Sequence, residues 1–441
     1  GTVKCIEDEI PFEVPEGWAW CKLNDIYNFI DYRGATPTKI TNGIPLVTAK
    51  NVKSGYIDYT IDDYISEEEF KERQQRGISK KGDILFTTEA PLGNAALADM
   101  EKFSAGQRLI TFQQYGSKNE LINYVMLMFI LSDFFQQQLY VNKTGSTVAG
   151  IKAAILKTLW IPVPPYNEQL RISNTLKSAI NLIDSISKNK EILSTSISNT
   201  KSKILDLAIR GKIVPQDPND EPASVLLERI RAEKEELIKQ GKIKRDKKES
   251  VIFKGDDNSY YGIHLPDSWN WASLREIALS ISDGSHNPPP NNGSGIPLLS
   301  AANINDNSIL MNEISRWITN EEWKIENQRT NIEVGDVLLT IVGSIGRSAV
   351  VQNNNHFALQ RSVAVIKPCL INPLYLMHIV QSPQIQKWLT DNSKGTAQKG
   401  IYLNALSLMI IPIPPLAEQA RIVEHIHIAY KHLDLISNAL L

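Results

Sequence analysis

From Ile172 onward, apolar residues fall on a seven-residue repeat: Ile172, Leu176, Ala179, Ile183, Ile186, Lys190, Leu193, Ile197, Thr200, Ile204 and Leu207, nine of eleven apolar. The same register returns later as Ile422, Ile426, Ala429, Leu433, Ile436 and Leu440, all apolar. The spacing predicts a helix from Asn167, an N-cap residue type, to Ile209, with Gly211 just past its end. At ~1.5 Å per residue this is a rod of ~65 Å, too long to pack inside a module of ordinary size. A short amphipathic stripe is ordinarily a core helix of its own module. A narrow seam sustained this far requires a second helix beside it, and the second stretch offers the same seam. The two are expected to pair antiparallel, relating two modules by a pseudo-two-fold axis.

Shorter patterns fill the rest of the chain. Gly-Asp turns precede β-branched runs at 84–88 and 337–342, which read as strands. Apolar spacing predicts helices over 66–75, 124–139 and 224–240. Apart from the linker helix over 224–240, these belong to a pattern that occurs twice. Val14-Pro15-Glu16-Gly17-Trp18-Ala19-Trp20 returns as Leu265-Pro266-Asp267-Ser268-Trp269-Asn270-Trp271. Gly43-Ile44-Pro45-Leu46 returns as Gly295-Ile296-Pro297-Leu298, and Gly82-Asp83-Ile84-Leu85-Phe86 as Gly335-Asp336-Val337-Leu338-Leu339. Gln107-Arg108 matches Gln360-Arg361, and Ile161-Pro162-Val163-Pro164-Pro165 with Glu168-Gln169 matches Ile411-Pro412-Ile413-Pro414-Pro415 with Glu418-Gln419. The offset drifts only between 250 and 253, so one mixed α/β fold is present twice. The expected organisation is a first module over 1–165, a spacer helix over 166–210, a linker with a short charged helix over 211–263, a second module over 264–415 and a second spacer helix over 416–441. The second helix is shorter than the first, and segments outside this sequence are expected to complete the pair.

Composition changes this picture little. The 441 residues are 42% hydrophobic and 22% charged, as in soluble globular chains, and no apolar run approaches the ~20 residues of a bilayer crossing. Cys5, Cys21 and Cys369 form no close pair, which points to a reducing, cytoplasmic compartment. With 47 basic and 49 acidic residues the net charge is −2, so charge alone makes no case for nucleic acid. Residues 229–248 carry nine Lys or Arg against four Asp or Glu, and read as a solvated linker.

The paired Trp-x-Trp openings, the Gly-Ile-Pro-Leu and Gly-Asp turns, and Ile-Pro-x-Pro-Pro-x-x-Glu-Gln leading into a long helix resemble the DNA-specificity (S) subunit of Type I restriction–modification enzymes. The resemblance spans nearly the whole chain. It implies two similar α/β target-recognition domains separated by a pair of long antiparallel coiled-coil-like helices, each domain reading one half of a bipartite DNA target. It further implies a non-catalytic chain without a cofactor of its own, partnered by double-stranded DNA, two methyltransferase (M) subunits and restriction (R) subunits. S-adenosylmethionine and ATP are expected on those partners. Separately from the resemblance, modules on a spacer of tens of Å suit half-sites one turn of B-DNA, ~34 Å, apart.

Base-reading residues are expected where the two copies differ, on exposed loops carrying hydrogen-bonding side chains. The first choices are Arg33, Thr36, Thr38 and Lys39, matched by Ser285, His286, Asn287, Asn291 and Asn292. Next come Lys50, Asn51 and Asn94 against Asn303, Ser344 and Arg347; last are Lys143, Ser146 and Thr147 against Lys394, Thr396 and Lys399. Residues common to both copies, such as Trp18/Trp269 and Gln107-Arg108/Gln360-Arg361, are expected to be scaffold or partner-facing. Asn287-Pro288-Pro289-Pro290 superficially matches the Asn-Pro-Pro-aromatic motif of adenine methyltransferases, but Pro290 cannot stack on a flipped base. His425 and His432 share a helix face without a third ligand, so no metal site is expected. The rival reading is a structural adaptor whose two modules bind proteins and never touch bases.

Overall fold

The structure, a computed structural model, describes residues 9–32, 36–60, 62–115, 121–145, 149–245, 260–395 and 399–440. The chain divides into two compact units, Gly1–Ser187 and Lys188–Leu441. In the first unit a four-stranded antiparallel sheet has the spatial order Tyr27–Asp31, Leu109–Gln114, Ile84–Thr88, Leu92–Leu97. Its strands alternate as a sheet covered on both faces must. Ile84 and Phe86 meet the helical side, with Val125, Met126, Ile130 and Phe135, while Leu85 meets Val47, Val52 and Ile57 opposite. The second unit repeats this order with Ala278–Asp283, Val363–Pro368, Val337–Thr340 and Ser348–Val350. Val337 and Leu339 face one core there and Leu338 the other. Each unit adds a three-stranded sheet, around Ile44–Val47 in one and Ile296–Leu299 in the other.

The duplicated motifs close each domain. The strand after the first tryptophan pairs with the strand before the Pro-Pro pair, with Trp20 opposite Pro162 and Trp271 opposite Pro412. The Gln of each Glu-Gln pair is then buried. Gln169 donates to Pro164 O and accepts from Ile122 N; Gln419 does the same with Pro414 O and Asn372 N. A buried amide satisfied on both sides ties the start of each spacer helix to its own domain.

Several expectations need correction in detail. The single helix expected over 124–139 is two, Asn123–Leu131 and Asp133–Val141, because Ser132 takes an extended backbone and caps the second through its hydroxyl. The long helix runs over Tyr166–Ile209, so Asn167 lies inside its first turn rather than at the N-cap. At its far end Gly211 adopts φ +65°, and a Cβ there would fall 2.5 Å from Pro266 Cγ, so glycine is required.

The helical seam is covered unevenly. Ile172 packs against the first unit's core, and Leu176 is half-buried. In the second unit Ile197 is buried, and Ile204, Leu205, Ala208 and Ile209 join a core that also takes in Ile422 and Ile426. Tyr430 Oη donates to Lys201 O, and Lys201 pairs with Asp434, so helix Leu416–Asn438 runs antiparallel to this end of the long helix. Leu433 and Leu440 are half-buried. Ile183, Ile186, Leu193 and Ile436, expected in the seam, are 60%, 57%, 39% and 47% exposed. A partner of 23 residues covers only part of a helix of 44.

His378 lies beneath helix Leu416–Asn438, buried, with no partner for Nδ1 among the described residues and its ring 6.0 Å from that of Tyr430. Burial, and then the nearby His427, push its pKa down to about 4 against a hydrogen bond with Gln381. The folded chain thus holds the neutral imidazole. Its contribution is present above pH ~6.5 and is lost as pH falls through 4, by ~2 kcal/mol at pH 5. Denaturant unfolding at pH 7.5 and 5.0 is expected to show this loss, relative to His378→Leu; parallel pH profiles for the two proteins would contradict it.

Candidate nucleic-acid interface

In an antiparallel sheet the end of one strand and the start of its neighbour lie together, so alternate connections gather at one end. In the second unit this end collects the loop after Asp283, the Ile341–Arg347 turn, the Gln360–Ser362 turn and the segment around Gly400. Ser285 N donates to Leu359 O and Arg361 N to Ser285 O, stitching the first loop to the sheet. Gly284 permits this approach, since a Cβ there would lie 2.1 Å from Leu359 O. Ile401 N bonds Ile341 O, Gly343 N bonds Lys399 O, and Ser362 Oγ accepts from Ala301 N. The first unit repeats the arrangement: Glu89 and Thr144 bridge Gly150, Ile151 N bonds Thr88 O, and Thr88 N bonds Arg108 O.

Sequence separations of over a hundred residues are therefore brought to one sheet end in each unit, and most of the expected readers lie there. Of these, Asn287, Ser344, Arg347, Lys394 and Lys399 are exposed. His286 is half exposed and its Nε2 lies 2.8 Å from Asp283 Oδ2. Asn291 and Asn292 are exposed but shape their own loop: Asn291 accepts from Gly293 N and Trp317 N and donates to Ser315 O, while Asn292 donates to Ser294 O. In the first unit Lys50 is exposed, Lys143 lies over the Tyr140 ring at 3.6 Å, and Lys39 pairs with Asp63. Thr36 accepts from Gln107 Nε2, and Thr38 N donates to Glu69. Asn94 donates to Val52 O from a half-buried position. Arg33, Ser146, Thr147 and Thr396 lie outside the described residues.

Three of the expected readers are structural instead. Asn51 and Asn303 are both 3% exposed. Asn51 accepts from Thr48 and donates to Asp58 O; Asn303 accepts from Ser300 and donates to Glu313 O. As a shared pair they lock a turn, and repetition across the copies was the signal for it. Ser285 is 6% exposed and holds its loop through the backbone. Expected to be scaffold or partner-facing because they are common to both copies, Gln107-Arg108 and Gln360-Arg361 sit at the same sheet end as the loops, where Arg108 pairs with Glu89 at 3.0 Å and Arg361 is exposed. The basic linker is not simply free in solvent. Arg231, Lys234, Lys242, Lys244 and Arg245 line an open groove of about 1750 Å³ that reaches Ser280, Ile281 and Arg329.

The described residues contain no group of three or more His, Cys, Asp or Glu that could hold a metal ion. His425 and His432 are both exposed. No described helix is long and apolar enough to cross a membrane.

Two divergent loop clusters carried on one duplicated scaffold, with a long helix leading out of the first copy, define a modular specificity protein. A family model described as "Type I restriction modification DNA specificity domain" matches residues 15–194 and 266–440, and the chain belongs to that family, with two copies of the domain. Among similar proteins, the Type I restriction enzyme EcoBI specificity subunit of Escherichia coli is 23% identical over 96% of this chain and 81% of its own length. The EcoEI specificity subunit, also of Escherichia coli, is 26% identical over 98% and 81%. The HsdS subunit from Thermoanaerobacter tengcongensis shares the fold, with a TM-score of 0.54 at 18% identity over 98% of this chain and 93% of that one. A chain from a structure of a type I R-M system gives a TM-score of 0.60, also at 18% identity, over 98% and 94%. The chain is thus a DNA-specificity protein of the Type I restriction–modification class, and its two domains match a bipartite target.

Proposed function

We propose that each domain reads one half of its target with the loops gathered at one end of its four-stranded sheet, the second domain through His286, Asn287, Ser344, Arg347, Lys394 and Lys399. The convergence of divergent loops onto a common scaffold carries this reading. The long helices hold two methyltransferase subunits and restriction subunits, which supply S-adenosylmethionine and ATP. The chain itself performs no catalysis and works in the cytoplasm. Charge supports dependence on partners. Residues 17–165 carry 16 basic and 15 acidic side chains, and residues 268–415 carry 10 of each. Phosphate contacts supply most DNA affinity, so near-neutral domains bind weakly until other subunits close around the duplex.

Mapping methylated adenines in a host genome with and without the intact gene tests this. The expected result is loss of methylation at one two-part sequence with a fixed gap. A continuous site, or an unchanged methylation pattern, would overturn the proposal.

A further inference from the structure

The end of strand Ala278–Asp283 holds an arrangement that the loop comparison does not account for. The Asp283 side chain is only 10% exposed, yet it receives two cationic or polar groups from different parts of the chain. Arg329, in helix Asn320–Thr330, donates from Nε to Asp283 O at 2.9 Å and from Nη2 to Asp283 Oδ1. His286 Nε2 approaches Asp283 Oδ2 at 2.8 Å, and the same nitrogen lies 3.2 Å from Arg329 Nη2. A carboxylate only accepts, so His286 Nε2 carries the proton there and Nδ1 is left as the ring's other polar edge. Arg329 remains 49% exposed, and its Nη1 has no partner among the described residues. A buried acid therefore holds a half-exposed guanidinium and a half-exposed imidazole side by side at the loop cluster.

The first unit carries the counterpart. Asp31 and Arg76 stand at the same places in the repeat, and Arg76 Nη1 donates to Asp31 O at 3.5 Å, the main-chain acceptor that Arg329 reaches in the second unit. The loops that follow Asp31 and Asp283 differ completely, while an arginine on the main-chain oxygen of the aspartate recurs; the carboxylate contact is shown in the second unit. A pair needed only for packing would be expected to bury its arginine. Both arginines are instead exposed beside the reading loops.

We propose that Arg329 and Arg76 contact DNA directly, one in each half-site, and that Asp283 is a positioning residue that fixes the Arg329 guanidinium before DNA arrives. The inference rests on the bipartite-reading proposal above. The Arg329 guanidinium, held through Nε and one Nη2 hydrogen, presents Nη1 to an acceptor pair, which DNA offers on a phosphate or on a guanine edge. Prior fixing lowers the ordering cost of the contact.

The test uses the full chain assembled with its methyltransferase subunits, with Arg329→Ala, Arg329→Lys, Asp283→Asn and Arg76→Ala. Arg329→Ala is expected to weaken cognate binding roughly 5- to 150-fold, with assembly retained and a lower thermal midpoint because buried Asp283 loses a donor. If the contact is to a base, the methylated sequence relaxes at one position of a single half-site, and Arg329→Lys fails to restore it. If it is to phosphate, binding falls evenly across sequences, the log–log salt slope drops by about one, and Arg329→Lys largely restores binding. Arg76→Ala acts on the other half-site. Asp283→Asn acts in the same direction as Arg329→Ala without touching DNA. Should Asp283→Asn unfold the domain, the exposed Arg329→Ala decides alone. Unaltered affinity, salt slope and sequence in Arg329→Ala would overturn the inference. If the unaltered complex methylates no two-part sequence, the underlying reading fails instead.

Discussion

Replacing residues 286–292 with a glycine–serine segment of equal length is expected to lower methylation of the cognate sequence by about 10³-fold or more, the usual gap between specific and non-specific DNA binding. The segment removes His286 and Asn287 and also the device that shapes them. Pro288, Pro289 and Pro290 restrict the backbone, and Asn291 pins the loop to Ser315 and Trp317. A flexible replacement must be ordered on every binding event. The anchor at Gly284 and Ser285 stays, so the domain is expected to remain folded and assembled. The half-site read by the first domain keeps its sequence, and exchange of residues 31–39 has the reciprocal effect. Methylation rates on DNA with one or the other half altered make the measurement. An adaptor that never touches bases would methylate the same sequence at the same rate.

Trp269→Ala is expected to cost about 4 kcal/mol of stability, the middle of the range for a fully buried tryptophan. Trp269 is 3% exposed, packs where the long helix ends at Gly211, and donates from Nε1 to Glu418 Oε2 at 2.9 Å. Glu418 is itself 0% exposed and also accepts from Gln216. Burial raises its pKa, while the hydrogen bonds from Trp269 and Gln216 act to lower it. Removing the indole leaves a cavity and deprives a buried carboxylate of a donor, so the Glu418 pKa is expected to rise further. Unfolding in denaturant at pH 7.5 measures the loss. Trp269→Phe, which keeps most of the volume, is expected to lose only ~1–3 kcal/mol. The matching Trp18 is less buried and its Nε1 has no partner among the described residues, so Trp18→Ala is expected to cost less. Equal losses at the two tryptophans would refute this account.

Residues adjacent in the chain were the most legible. The Gly-Asp turns, the strand over 84–88 and the charged helix after Pro222 follow from local preference and periodicity. The break at Ser132 was less so, because its apolar spacing continues across a capping hydroxyl. Among expected readers, Asn51 and Asn303 have the right chemistry and the wrong burial, whereas Arg361, common to both copies, is exposed at the loop end. Residue type tells what a side chain can bond; only its surroundings tell whether those bonds are already spent.

The sequence by itself determined that one α/β domain occurs twice, that a long helix follows the first copy, and which loops differ between copies. Repetition and periodicity are properties of order along the chain, so they survive without coordinates. The tertiary structure decided which distant loops share a sheet end, how far the seam is covered, and that Asp283 joins Arg329 to His286. Those facts depend on strand order and on contacts between residues tens to hundreds of positions apart, where sequence spacing carries no distance information.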